Sequence, residues 1–178
     1  MNYEKFAKMY LENVLTLMNA PDEKLVEKVV KSFTAIINGL QKENQFTMIP
    51  LIKDMIEGIA VERIRVGSLS MEERPLFKKK VQTIKMLEKA EGVKNLSAVI
   101  QNSITHGSLE CRIDSAICFQ YLVDFSSPVA IKMEVIKICG ALIRVVNDKF
   151  PPALKLQIFH ALKLILLRAS ANAKAMAP

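Results

Sequence analysis

The chain has 178 residues, 51% of them hydrophobic, with a formal charge of +7, six glycines and seven prolines. That is enough apolar material for one domain with a real core and too little turn-forming material for a many-turned β protein. Lys132, Glu134 and Lys137 break the most hydrophobic region at helical spacing, which excludes a membrane span there, and the positive charge favours acidic partners or an RNA-rich neighbour.

The pattern opens with Tyr3, Phe6, Tyr10, Val14 and Leu17 on one side of a helix from about Asn2 to Met18. Asp22 suits the cap of a second helix, whose stripe is Leu25, Val29, Phe33, Ile36, Ile37 and Leu40. A third is expected from about Asn44 to Ile64, with Met48, Leu51, Ile52, Met55, Ile56 and Ile59 inward and Pro50 in its first turns, where proline costs little. Residues 67–75 read as an exposed linker. Phe77, Val81, Ile84 and Leu87 return at helical spacing from Leu76 to Lys89, and Glu91-Gly92 reads as a short break.

Leu96, Val99, Ile100 and Ile104 mark the next helix, which stops at His106-Gly107, glycine being the usual residue just past a helix end. Ser108 caps a helix running to about Val123. Ser127 and Pro128 supply a cap and an N1 proline for another, with Ile131, Val135, Ile138, Leu142 and Val146 along a single stripe. Asn147-Asp148-Lys149 and Pro151-Pro152 end it, and Leu154, Ile158, Leu162, Ile165 and Leu166 begin an antiparallel partner. After Arg168 the small-residue stretch 169–178 reads as an incomplete C-terminal tail.

Seven or eight helices on short connections, with no alternating strands, make an all-α chain. The helix starts near Ser108 and Pro151 are about forty-three residues apart, inside the period of HEAT and armadillo arrays. An α-solenoid of antiparallel helical hairpins over residues 1–178 is therefore expected, each hairpin burying its stripe on the next. The tail leaves two readings: a segment of a longer array, or an apolar edge covered by another molecule such as a second copy in a homo-oligomer.

Catalytic constellations are missing from the sequence. His106 and His160 are the only histidines, and no His-Glu-x-x-His, phosphate loop, Gly-x-Gly-x-x-Gly or Gly-x-Ser-x-Gly occurs. Neither enzyme activity nor a metal or other cofactor is expected. Cys111, Cys118 and Cys139 lack metal-like spacing and read as reduced core thiols of a cytoplasmic protein, and the N-terminus lacks a secretory pattern. The nine methionines fall mostly at core spacing. Charge reads as diffuse, with Lys78-Lys79-Lys80 the one contiguous basic run, either a solvated helix face or a phosphate-binding surface. No tryptophan and 6% aromatics argue against a base-stacking platform.

The stretch Gly140-Ala-Leu-Ile-Arg-Val-Val-Asn-Asp-Lys-Phe150, followed by Ala153-Leu-Lys155 and the series Leu162, Arg168, Lys174 and Pro178, resembles the family of very large HEAT-repeat activators of the amino-acid-starvation kinase of initiation factor two alpha. Weaker similarity extends upstream to about residue 24. The chain departs from the family pattern at Pro151-Pro152 and Ala175-Met176-Ala177. The resemblance implies the C-terminal part of such an activator, a non-enzymatic scaffold of translational control that binds the RWD domain of the kinase and, in the whole protein, sits on ribosomes. It carries a partner-binding role onto Arg144, with Lys149 in support; the competing reading pairs Arg144 locally with Asp148. A basic solenoid contacting ribosome or RNA is the alternative.

Overall fold

A computed structural model describes residues 9, 10, 13, 17, 22–39, 45–50, 52–54, 85–146 and 149–175. They include seven α-helices and one 3-10 turn in the order α1 (Glu23–Gly39), the turn Phe46–Met48, α2 (Lys85–Glu88), α3 (Ala90–His106), α4 (Leu109–Phe125), α5 (Pro128–Lys132), α6 (Val135–Val146) and α7 (Pro152–Ala175). No strand occurs among the described residues. Met9, Tyr10, Asn13 and Leu17 are helical, as expected of the first segment, although Tyr10 and Leu17 are exposed. The linker 67–75, the Lys78–Lys80 run and Asp148 lie outside the described residues.

The helices stack in two layers. α3 pairs with α4 as an antiparallel hairpin, and α6 pairs with α7 as the next. Across the hairpins α6 lies on α3 and α7 lies on α4, while the short α5 packs on α3. This is the arrangement of an α-solenoid, in which a hairpin covers its apolar stripe only by stacking. α1 and the 3-10 turn also pack on α3. Val93, Leu96, Val99, Ile100 and Ile104 of α3 are buried, as are Ala116, Cys118, Phe119 and Leu122 of α4 and Leu154, Ile158 and Ala161 of α7. Each buried branched or aromatic side chain contributes about 1.5–3 kcal/mol.

Local sequence sets where the helices begin. Asp22 Oδ1 accepts from the Lys24 N–H at 2.9 Å, Ser108 Oγ from the Cys111 N–H at 3.3 Å, and Ser127 Oγ from the Ala130 N–H at 3.2 Å with Pro128 beside it at the first helical position. Ser127 also ties two connections together. Its N–H donates to the Leu87 carbonyl at 3.0 Å and its hydroxyl to the Glu88 carbonyl at 3.2 Å, joining the end of α2 to the start of α5.

The structure corrects five sequence expectations. Residues 128–146 are not one helix: the Glu134 N–H bonds to the Ile131 carbonyl, three residues back instead of four, and this tight turn separates α5 from α6. The Glu134 carboxylate is buried at the break and answered by Lys137 Nζ at 2.8 Å. Gly92 is not a break but a buried residue in the first turn of α3; the interruption falls at Lys89, whose extended backbone forms the N-cap. Residues 46–48 form a 3-10 turn at the start of the third expected helix, while Met48 and Ile52 are buried as anticipated. The stretch after Arg168 continues as helix to Ala175, consistent with alanine having the highest helix propensity. Leu166, placed in the stripe of α7, is instead exposed.

Gly107 follows α3 as expected, but not for a left-handed turn. Its φ is −71° and its ψ 171°, an extended backbone open to any residue. Space excludes a side chain: a Cβ there would stand 2.6 Å from the Ser103 carbonyl oxygen and 2.9 Å from Cys111 Cβ. Arg112, one turn into α4, reaches back over the same corner. Its Nε donates to the Gly107 carbonyl and its Nη1 to the Ile104 carbonyl, both at 2.8 Å, and the guanidinium lies 4.6 Å from the ring centroid of Phe150. One side chain thus satisfies the carbonyl end of α3 and touches the turn of the next hairpin.

Two variants test this corner by urea unfolding. Gly107→Ala is expected to lose about 1–3 kcal/mol, because the contact it meets is backbone that cannot step aside. Arg112→Met is expected to lose about 1.5–3 kcal/mol, since it removes charge-assisted bonds to helix-end carbonyls while keeping much of the stem; an unchanged unfolding midpoint would show that the buttress does not support the stack.

Candidate protein-interaction surface

The hairpin α5–α6–α7 is where candidate contact residues and exposed apolar side chains come together. Arg144 sits in the last turn of α6, exposed, where a cation is favoured by the helix dipole. Lys149 is exposed in the connection to α7. Both are therefore open to a partner. Asp148 and Lys78, Lys79 and Lys80 lie outside the described residues, so the local Arg144–Asp148 pair and the basic-run surface have no geometry here.

Other long polar side chains are held within the stack. Arg168 of α7 donates from Nη1 to the carbonyls of Val123 and Ser126, the latter at 2.9 Å, and so closes the carbonyl end of α4 as Arg112 closes that of α3. Gln120 of α4 donates from Nε2 to the Gln157 side-chain oxygen at 2.9 Å and to its backbone carbonyl at 3.1 Å. Lys53 and Asp114 meet at 2.8 Å, and Asn102 donates to the Gln45 side chain at 3.2 Å, fixing the 45–54 segment on α3 and α4. These groups position the surface and do not form it.

Charge that reads as diffuse along the chain is concentrated in the last hairpin. Residues 128–178 hold eight Lys or Arg and two Asp or Glu, so this segment carries +6 of the total +7. Lys132, Lys137 and Lys163 are exposed with Arg144 and Lys149. Sequence reasoning missed them because they are not adjacent in the chain. Counting charge by hairpin, not by contiguous run, would have found them.

The same segment is apolar on two sides. The expected stripe is where it should be, with Ile131, Ile138 and Leu142 buried, yet Val129, Met133 and Ile136 are 81%, 73% and 83% exposed and Ile143 is half exposed. Phe159 and Leu166 stand out likewise on α7.

Among the described residues no cluster of His, Cys, Asp or Glu could hold a metal ion. His106 and His160 are both exposed and far apart in sequence, at the end of α3 and within α7. Cys118 is buried, whereas Cys111 and Cys139 are half-buried, so the reading of all three as core thiols applies fully only to the first. Burial pushes the Cys139 thiol up from its ordinary range, away from the thiolate that nucleophilic work would need. No described helix is long and apolar enough to cross a membrane.

No family model matches the chain, and no solved structure does. Among curated proteins it is similar to the eIF-2-alpha kinase activator GCN1 of Dictyostelium discoideum, 26% identical over 164 residues, covering 92% of this chain and 6% of that protein. It is similar in the same degree to Protein ILITYHIA of Arabidopsis thaliana, 26% identical over 182 aligned residues, covering 98% of this chain and 6% of that one. The chain thus spans about 6% of the length of these relatives and, as an all-α stack of helical hairpins, is a distant likeness of one segment of each.

Proposed function

We propose that this chain is a non-enzymatic protein-binding scaffold acting in translational control. The observation that carries the reading is similarity to an eIF-2-alpha kinase activator along nearly the whole chain, in a fold whose last hairpin presents apolar and basic side chains to solvent. A stacked array suits such work because its helices hold a row of side chains rigidly, and a partner that meets the row gains contacts without ordering the scaffold.

Within this reading the partner is the RWD domain of an initiation-factor-two-alpha kinase, and Arg144 is the contact residue, with Lys149 beside it. Arg144 is exposed, belongs to a packed helix and carries a planar fork able to bind a carboxylate in two places. The working compartment is the cytoplasm, with ribosomes close by in a full-length context. Concentration of charge in residues 128–178 favours one alternative, a basic solenoid contacting RNA, whose binding would fall steeply as salt is raised.

Retention of this chain by an immobilised, purified RWD domain is the direct test. Wild type is expected to be retained, and Arg144→Glu to bind at least about tenfold more weakly, since reversing an interface charge commonly costs 2 kcal/mol or more. Equal retention of both proteins would remove Arg144 from the contact, and retention of neither would remove the kinase partner.

A further inference from the structure

We propose that the solvent face of the hairpin α5–α6–α7 is a docking site for an acidic amphipathic helix of a partner protein. The inference rests on the scaffold reading alone and does not depend on the RWD domain.

The spacing of the exposed side chains gives the shape of the occupant. On α6 the exposed positions are Ile136, Gly140 and Ile143, steps of four and three, and Val129 of α5 and Met133 of the turn before α6 are exposed as well. Leu156, Phe159, Lys163 and Leu166 repeat the same steps on α7. This is the seven-residue rhythm of a seam that packs against another helix. It occurs here on two neighbouring antiparallel helices, and in both cases on the side away from the buried row. Ile138, Leu142 and Val145 of α6, and Leu154, Ile158 and Ala161 of α7, are buried on helices that pack on the preceding hairpin and on each other, whereas the other rows stay exposed. A Cβ built at Gly140 meets nothing, so the middle of the α6 row is open to close approach.

Charge decides the chemistry of the occupant. On a helical projection Lys137 and Arg144 lie on one flank of the α6 row, Lys132 is exposed at the end of α5, Lys155 flanks the α7 row and Lys163 lies within it. Lys137 is already answered by Glu134. No carboxylate among the described residues pairs with Lys132, Arg144, Lys155 or Lys163. An apolar row bordered by cations is the complement of a helix with an apolar stripe bordered by Glu and Asp.

A second copy fits worse, because a two-fold pairing of this face would bring two equally basic surfaces together. RNA fits worse because the centre of the face is aliphatic, with Phe159 its one exposed ring, where single strands call for aromatic stacking platforms.

A labelled peptide of Leu and Glu heptads, with a copy in which every Glu is Gln, tests the proposal by fluorescence anisotropy on the whole chain. The acidic peptide is expected to bind saturably, and the Gln copy at least about tenfold more weakly, equivalent to about 1.4 kcal/mol. Ile136→Ser and the pair Lys132→Glu with Lys163→Glu should each weaken binding by a similar factor. Both change exposed positions, so unaltered circular-dichroism melting separates lost binding from lost fold. Absence of saturable binding, equal binding of the two peptides, or indifference to either variant would overturn the proposal. So would a dimer in sedimentation equilibrium that Ile136→Ser dissociates, or an RNA oligonucleotide that displaces the peptide and ignores Ile136→Ser. Peptide binding without RWD retention would remove the kinase partner and leave this site standing; RWD retention without peptide binding would do the reverse.

Discussion

A helical hairpin with a continuous apolar stripe on each helix cannot cover both stripes by closing on itself, and the architecture of this chain follows from that shortfall. α3 and α4 bury one side on each other and still need cover on another, which α6 gives to α3 and α7 gives to α4. Contacts therefore run within a hairpin and between one hairpin and the next, the property that lets stability be approximated as a sum over repeats and their interfaces. Both ends of the central hairpin are also tied by polar groups. Ser127 bonds to the last carbonyls of α2 at one end, and Arg112 joins the α3–α4 corner to Phe150 at the other.

Arginine does two different jobs on this scaffold, and position alone separates them. Arg112 and Arg168 each begin on one helix and end on carbonyls at the finish of another, where intrahelical donors have run out. A guanidinium answers such sites well because its several donors lie in one plane. Arg144 sits at the end of its own helix with its head in solvent. A contact residue for another protein must be of the second kind, since removing an arginine of the first kind would disturb the frame before it disturbed any interface.

Fold-level features were legible because they are local. Asp22, Ser108 and Ser127 announce helix starts through short-range hydrogen bonding, and the stripe of α3 is buried side chain by side chain where periodicity placed it. What escaped depends on neighbours in space. The turn at Glu134 involves a carboxylate buried in the stack, and the need for Gly107 comes from Ser103 and Cys111, a packing distance that no spacing rule contains. The surface was half legible. Arg144 and Lys149 were singled out through a resemblance, whereas Lys132, Lys155, Lys163 and the apolar residues among them look unremarkable in sequence because a helix that is apolar on two sides hides which side is inward.

That two-sidedness separates stability from recognition. α6 is anchored by Ile138, Leu142 and Val145, and α7 by Leu154, Ile158 and Ala161, so the fold does not require Val129, Ile136 or Leu166 to be apolar. Left in water, large apolar side chains add little to folding, and a contiguous exposed patch favours association. An apolar residue that folding does not need, repeated at helical spacing and accompanied by cations, is best explained by a contact made after folding. Since the two rows lie on opposite sides of the same helices, a partner can seat on one without loosening the other, and the scaffold can hold it without changing shape.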